Sequence, residues 1–420
     1  MVLSVSSLTL AVELTATPDS LQNLLHQAVP GSVIKLAPGT YKGPLTIDRT
    51  LTLNGQPGVV IDGRQQGVVL LVNAPEVVVQ GLELINDRGD VGELDAVIFV
   101  GRDARGAELL NNRIHARGFG IWVDSTQDVL VKGNVISGDT TIRSQDRGNG
   151  IHLFNVSNAN VIGNRAWDVR DGIYIDASNY NRLEGNELHD LRYGIHYMFS
   201  HSNEVIGNRT YRTRAGFALM ASKYLKIRDN WAEDDENYGL LLNDITFSVI
   251  ENNRAIGIRH GTTPGTDHFI TGAEGKAMFI YNSQHNEIRN NLVANTDIGI
   301  HMTAGAERNV LSGNSLVNNR SQVMYVANRQ QEWSEDGRGN YWSDYVGWDL
   351  SGNGIGDVPH EPNDSVDRLL WTYPMARLLM NSPAVQLLRW VQREFPVLRP
   401  SGVRDSAPLM RPVHSLEELQ

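Results

Sequence analysis

Residues 160–176, NVIGNRAWDVRDGIYID, can be laid over residues 182–198, RLEGNELHDLRYGIHYM, at an offset of 22, so that Asn164 meets Asn186, Gly172 meets Gly194 and Ile173 meets Ile195. The match extends outward in both directions. An Asn following a turn recurs at 112, 134, 164, 186, 208, 230, 253, 291 and 314, with steps of 22, 30, 22, 22, 22, 23, 38 and 23 residues. A second series runs in phase with it: Gly120-Ile121, Gly150-Ile151, Gly172-Ile173, Gly194-Ile195, Gly216-Phe217, Gly239-Leu240 and Gly299-Ile300. Between the marks lie short alternating runs bounded by Gly, Asn, Asp or Ser, which is the pattern of strands joined by tight turns. A unit of about 22 residues with two or three such strands and no helical run is one coil of a solenoid. The sequence therefore predicts an all-β protein, a single right-handed parallel β-helix over residues 32–330. Stacked Asn164, Asn186, Asn208 and Asn230 form an amide ladder at one corner, each bond contributing about 1 kcal/mol net.

Solenoid ends need covering. Residues 1–31 supply an apolar start without the Lys or Arg of a complete export signal, read either as a signal remnant or as an edge strand. Thr17-Pro18 then opens a capping helix over SLQNLLHQAV. Residues 331–380 form an aromatic and Gly-rich closing segment. Residues 381–420 hold a helix opened by Ser382-Pro383, with apolar residues at helical spacing as far as Phe395, and a proline-rich tail. Trp390 beside that apolar stripe marks the helix as a docking element, and the tail is expected to order only on a partner. An end cap followed by a disordered tail is the alternative.

Composition narrows the function classes. In 420 residues, Asp plus Glu number 48 against 37 Lys plus Arg, a net charge of -11, which argues against nucleic acid or an anionic membrane surface as main partner. With no Cys, disulfides, zinc ribbons and thiolate chemistry are excluded, so a soft-metal site has to use Met and His. No stretch is long enough for a membrane span.

Strand alternation identifies those residues. The first and third positions after each repeated Gly are apolar and face inward, so the second and fourth face out. The second positions are Trp122, His152, Tyr174, His196, Ala218, Leu241 and His301; the fourth are Asp124, Phe154, Asp176, Met198, Met220, Asn243 and Thr303. His196 and Met198 share one outer face, and Met220 falls beside Met198 on the next coil. An imidazole with two thioethers is a donor set suited to Cu(I). The 38-residue step adds a loop carrying His260 and His268, and His301, Met302 and Met324 form a second group, although Met302 occupies an inward position. The competing reading is that these outer Met and aromatic residues lie beneath a loop or against a protein partner. A third reading, cleavage or epimerisation of acidic sugars, needs close acids and bases. Asp124 and Asp176 share one outward position two coils apart, about 10 Å, which is too wide. Arg170, Arg192 and Arg214, spaced by 22 beside Asp168 and Asp190, read as an ion-pair ladder rather than an anion clamp.

With the repeat, LRYGIHYMFSHSNEVIGN at 191–208, DGIYIDAS at 171–178 and the ending GNYWSDYVGWDLSGNGIGDVPH in view, the chain resembles the NosD family over nearly its whole length. The resemblance implies a periplasmic, non-enzymatic accessory protein that handles Cu(I) transiently. It implies as partners a membrane ABC transporter permease with its ATPase, a copper-delivering lipoprotein, and nitrous oxide reductase, whose copper centres it helps to assemble. A uronate lyase or epimerase and a metal-free binding scaffold are the alternatives.

Overall fold

The computed structural model describes residues 12–260, 274–303, 305–326, 329–363, 366, 367, 371, 373, 382–394 and 402–415. The chain divides into two compact units, residues 1–209 and 210–420. Each is a parallel β-solenoid with three strands per coil.

In the first unit, one lane of strands begins with Glu13–Ala16, which pairs in parallel with Ser32–Leu36, and ends with Glu204–Ile206. The edge-strand reading of the N-terminus thus holds for residues 13–16, and the solenoid starts before residue 32. The intervening helix covers Leu21–Gln27 and starts later than Thr17-Pro18 suggested. Residues 17–20 instead close a turn in which the Ser20 hydroxyl accepts from the Thr17 N–H at 2.8 Å.

Both sequence marks have a physical cause. Gly163 and Gly185, just before the ladder asparagines, sit at φ +61°, where a side chain would be strained. The other glycines meet a different constraint: a Cβ on Gly172 would stand 2.7 Å from the Gly194 carbonyl oxygen of the next coil. After them, Ile121, Ile151, Ile173 and Ile195 stack in register with no exposed surface. Each such buried side chain contributes roughly 1.5–3 kcal/mol.

The predicted ladder is built in each unit. Asn186 Oδ1 accepts from both the backbone N–H and the side-chain Nδ2 of Asn164, at 2.9 and 3.0 Å. Its own Nδ2 donates to the Val161 carbonyl and to Asn208 Oδ1. Asn112 and Asn134 repeat the pattern. In the second unit Asn230, Asn253, Asn291, Asn314 and Asn340 do the same, and the 38-residue step leaves the register intact because Asn253 still bonds Asn291.

The closing segment belongs to the solenoid. Tyr341–Trp342 pairs with Ser315 and Leu316, extending the strands past residue 330. The tail departs from expectation as well: Val403–Arg404 pairs with Gln331–Glu332, and Asp405 is fully buried. Its carboxylate accepts from the Asn340 N–H and from Trp342 Nε1, both at 2.7 Å. An acceptor-only group thus ends the ladder, and residues 402–415 order on the chain itself. The C-terminal helix, Pro383–Glu394, begins as its sequence implied, with Ser382 accepting from the Gln386 N–H.

A second corner of this unit holds Asp235, fully buried, whose Oδ1 accepts from the Thr213 N–H and hydroxyl at 2.8 Å. Burial, against these hydrogen bonds, pushes its pKa up to about 8.

Two stability predictions follow from these corners. Asn186→Ala strands the Asn164 N–H and the Val161 carbonyl, so denaturant unfolding is expected to show a loss of about 3 kcal/mol. Asn186→Asp, which cannot donate to Val161, is expected to be no better; parent-like stability in either variant contradicts the ladder's role. For Asp235, the folded carboxyl keeps its proton where the unfolded one has lost it, so its contribution is fully present below about pH 4 and is lost as pH rises through about 8. Asp235→Asn is expected to leave the melting temperature near its parent value at pH 4 and to raise it at pH 8.5; equal shifts at both pH values would contradict this.

Candidate functional site

Strand alternation places the outer face as predicted. In the first unit, Trp122, His152, Tyr174 and His196 stand in register on successive coils, and Asp124, Phe154, Asp176 and Met198 form the neighbouring column. The first column is a continuous stack. Ring centroids are 3.9 Å apart between Trp122 and His152, 4.6 Å between His152 and Tyr174, and 4.3 Å between Tyr174 and His196, the last pair nearly parallel at 11°. Phe119 packs edge-on to Trp122 at 4.7 Å.

Outward direction does not mean exposure here. Trp122 and His152 are 6 % exposed and His196 is 8 % exposed. Asn149, at the end of the insertion behind the 30-residue step, places its Nδ2 3.2 Å from His152 Nδ1. Burial, with a smaller effect of His196, pushes the His152 pKa down to about 3, so its imidazole is neutral at physiological pH. Burial likewise raises Tyr174 to about 12. Burial on this face is uneven, since Phe154 in the neighbouring column is 39 % exposed.

Beside His196 lies a charged pair that sequence reading did not place. Asp171, 1 % exposed, accepts from Arg192 through Nε at 2.8 Å and Nη2 at 2.5 Å, and its Oδ2 lies 3.0 Å from His196 Nδ1. Burial pulls the Asp171 carboxyl upward, but its bonds to His196 and Arg192 outweigh that and hold it below the ordinary value. Arg192 therefore pairs with Asp171. A signal was present: Asp171 has the inward parity of Ile173 and Ile175, and a charge at an inward position requires a partner.

The remaining candidates separate. Met198 is half-buried beside His196 on the same strand face. Met220, also half-buried, is in register with Asn243 in the second unit. In that unit His301 faces outward between Phe279 and Met324, with Phe279 at 4.7 Å. Burial, then Lys276, lowers its pKa to about 4. Met302 points into the core at 1 % exposure and takes no part in the outer column. His260 donates its backbone N–H to Asp297, and both its ring nitrogens are buried without a partner among the described residues. His268 lies outside the described residues. Among the described residues no three His, Asp or Glu side chains form a metal-holding group. Asp124 and Asp176 are separated by Phe154.

Residues 132–347 match the family described as "Periplasmic copper-binding protein (NosD)". The "Probable ABC transporter binding protein NosD" of Stutzerimonas stutzeri is 52 % identical over 396 residues, covering 94 % of this chain and 91 % of that relative. Its namesake in Pseudomonas aeruginosa is 54 % identical over 397 residues, covering 94 % and 92 %. Among solved structures, the A-module of the Azotobacter vinelandii mannuronan C-5 epimerase AlgE6 superposes with a TM-score of 0.55 at 13 % identity, covering 74 % of this chain and 91 % of that one. The Yersinia enterocolitica family 28 exopolygalacturonase gives 0.56 at 11 % identity, covering 75 % and 77 %. Those two likenesses establish the β-helix fold alone.

Proposed function

The chain belongs to the NosD family, whose members are binding and accessory proteins rather than enzymes, and from that premise we propose that it handles Cu(I) in the periplasm during assembly of the copper centres of nitrous oxide reductase. The observation that carries this reading is the placement of His196 and Met198 on one outer strand face in a family described as copper-binding. The 22-residue repeat of the sequence adds Met220 as a further candidate thioether donor. Imidazole and thioether are soft neutral donors, matched to Cu(I) and poorly matched to Mg²⁺ or Ca²⁺. Copper is cargo in this reading, held transiently and passed on.

The partners follow from the same premise. Two relatives carry the name of ABC transporter binding proteins. In this chain the helix Pro383–Glu394 exposes Leu387 and Trp390 at 60 % and 49 %, and these would contact the transporter permease. A copper-delivering lipoprotein would supply the ion, and the reductase would receive it. Periplasmic residence accords with the family description and with the absence, among the described residues, of any helix long and apolar enough to cross a membrane.

Replacing His196, Met198 and Met220 together by Ala is expected to weaken Cu(I) binding at least about tenfold in a competition titration, since all primary donors are lost. Met198→Ala with Met220→Ala alone is expected to keep stability within about 1 kcal/mol of the parent. Parent-like affinity in the triple variant would move the ligands elsewhere, with His301 next, and a parent that binds no Cu(I) would leave a metal-free scaffold. For the partner, Leu387→Asp with Trp390→Asp is expected to abolish co-purification with the transporter; retained co-purification would shift docking onto the solenoid.

A further inference from the structure

We propose that Asp171 is a positioning residue that fixes which nitrogen of His196 is presented to the metal; this rests on the Cu(I) reading above, but its first consequence concerns the metal-free protein. The His196 ring has two nitrogens, and only one bearing a lone pair can bind a cation. Its Nδ1 lies 3.0 Å from Asp171 Oδ2. An ionised carboxylate only accepts hydrogen bonds, so Nδ1 carries the proton. In the neutral ring the lone pair then resides on Nε2, which makes no hydrogen bond among the described residues.

The surroundings hold this arrangement without help from a metal. Arg192 grips both carboxylate oxygens, which removes the freedom of Asp171 to turn away. Tyr174 stacks on one side of the His196 ring at 4.3 Å, and Tyr193 meets it edge-on at 5.1 Å. Orientation and tautomer are therefore both set in advance. A carboxylate behind a ligating imidazole is a recurrent device of metal sites, where it orients the ring and raises its donor strength.

The same column supplies an internal contrast. His152 stands two coils away with Asn149, not a carboxylate, at its Nδ1. The Asn149 Nδ2 is a donor, so His152 Nδ1 accepts and its proton resides on Nε2. That Nε2, like the Asn149 Oδ1, is buried and has no partner among the described residues. With the Asn149 amide nitrogen toward His152, the two histidines of one column are assigned opposite tautomers, and of the two only His196 offers an unbonded lone pair. The structure assigns metal handling to His196 and a packing role to His152 on this ground.

The test uses the full chain, ¹⁵N-labelled and metal-free at neutral pH, with His196→Ala to assign the signals. Long-range ¹H–¹⁵N spectra are expected to show His196 as the Nδ1–H tautomer and His152 as the Nε2–H tautomer. In Asp171→Asn the single His196 tautomer is expected to give way to a mixture, and Cu(I) affinity in a competition titration to fall about tenfold to a hundredfold. Arg192→Lys, which keeps the charge but loses the two-point grip, gives a second route if Asp171→Asn does not fold, and is expected to cause a smaller loss with a broadened His196 signal. An Nε2–H or doubly protonated His196 in the parent overturns the proposal, as does parent-like affinity in a folded Asp171→Asn. If His196→Ala binds Cu(I) like the parent while the tautomers are as expected, the copper reading fails and the positioning of His196 by Asp171 stands.

Discussion

A coil of about 22 residues must turn three times, and every turn withdraws backbone groups from the strand ladders. At one corner an asparagine side chain resolves this by accepting from the N–H of the neighbouring coil and donating to a carbonyl of the coil behind it, as Asn186 does toward Asn164 and Val161. Neither Asp nor Ala offers both functions at once. Because each amide also bonds the next amide, the corner fixes the register of successive coils as well as satisfying its own groups. Asp405 shows the same logic at the end of the ladder: its carboxylate accepts from the Asn340 N–H, where the earlier coils use an amide oxygen.

Fixed register gives the outer face its chemistry. Once Ile151, Ile173 and Ile195 stack inside, residues one position further on have to stack outside, so ring meets ring from Trp122 to His196. Insertions are confined to corners, where added length leaves the strands in place. The Asn253-to-Asn291 bond across the longest step demonstrates this. A site on such a face depends on register for its column and on corner residues for its polar partners.

This division explains what was legible in the sequence. The fold could be read because the ladder asparagines and close-approach glycines each have a local, residue-specific cause that repeats. Outward positions followed from parity, which placed His196, Met198 and His301 correctly and Met302 inside. The Asp171–Arg192–His196 group was legible only in part: the inward parity of Asp171 called for a partner, but nothing in the repeat named it, since Asp171 and His196 are 25 residues apart on paired strands. The burial of Trp122 and His152 was equally hidden, since it depends on neighbours such as Phe119 and Asn149 that strand parity does not supply. The tail was misjudged for a related reason: residues 402–415 find their partners at Gln331, Asn340 and Tyr341, a match that no periodicity encodes.

The coil itself does not demand a carboxylate at position 171. The equivalent position one coil earlier is Asn149 and one coil later Tyr193, and both are accommodated at the same corner. A buried ion pair is a poor source of stability, because desolvating two charges offsets most of their attraction. Stability alone would be served as well by a neutral residue at 171, with Arg192 turned to solvent. Orientation would not be served, since only an acceptor held from behind fixes the proton on Nδ1 of His196. The arrangement is accounted for by its effect on the imidazole.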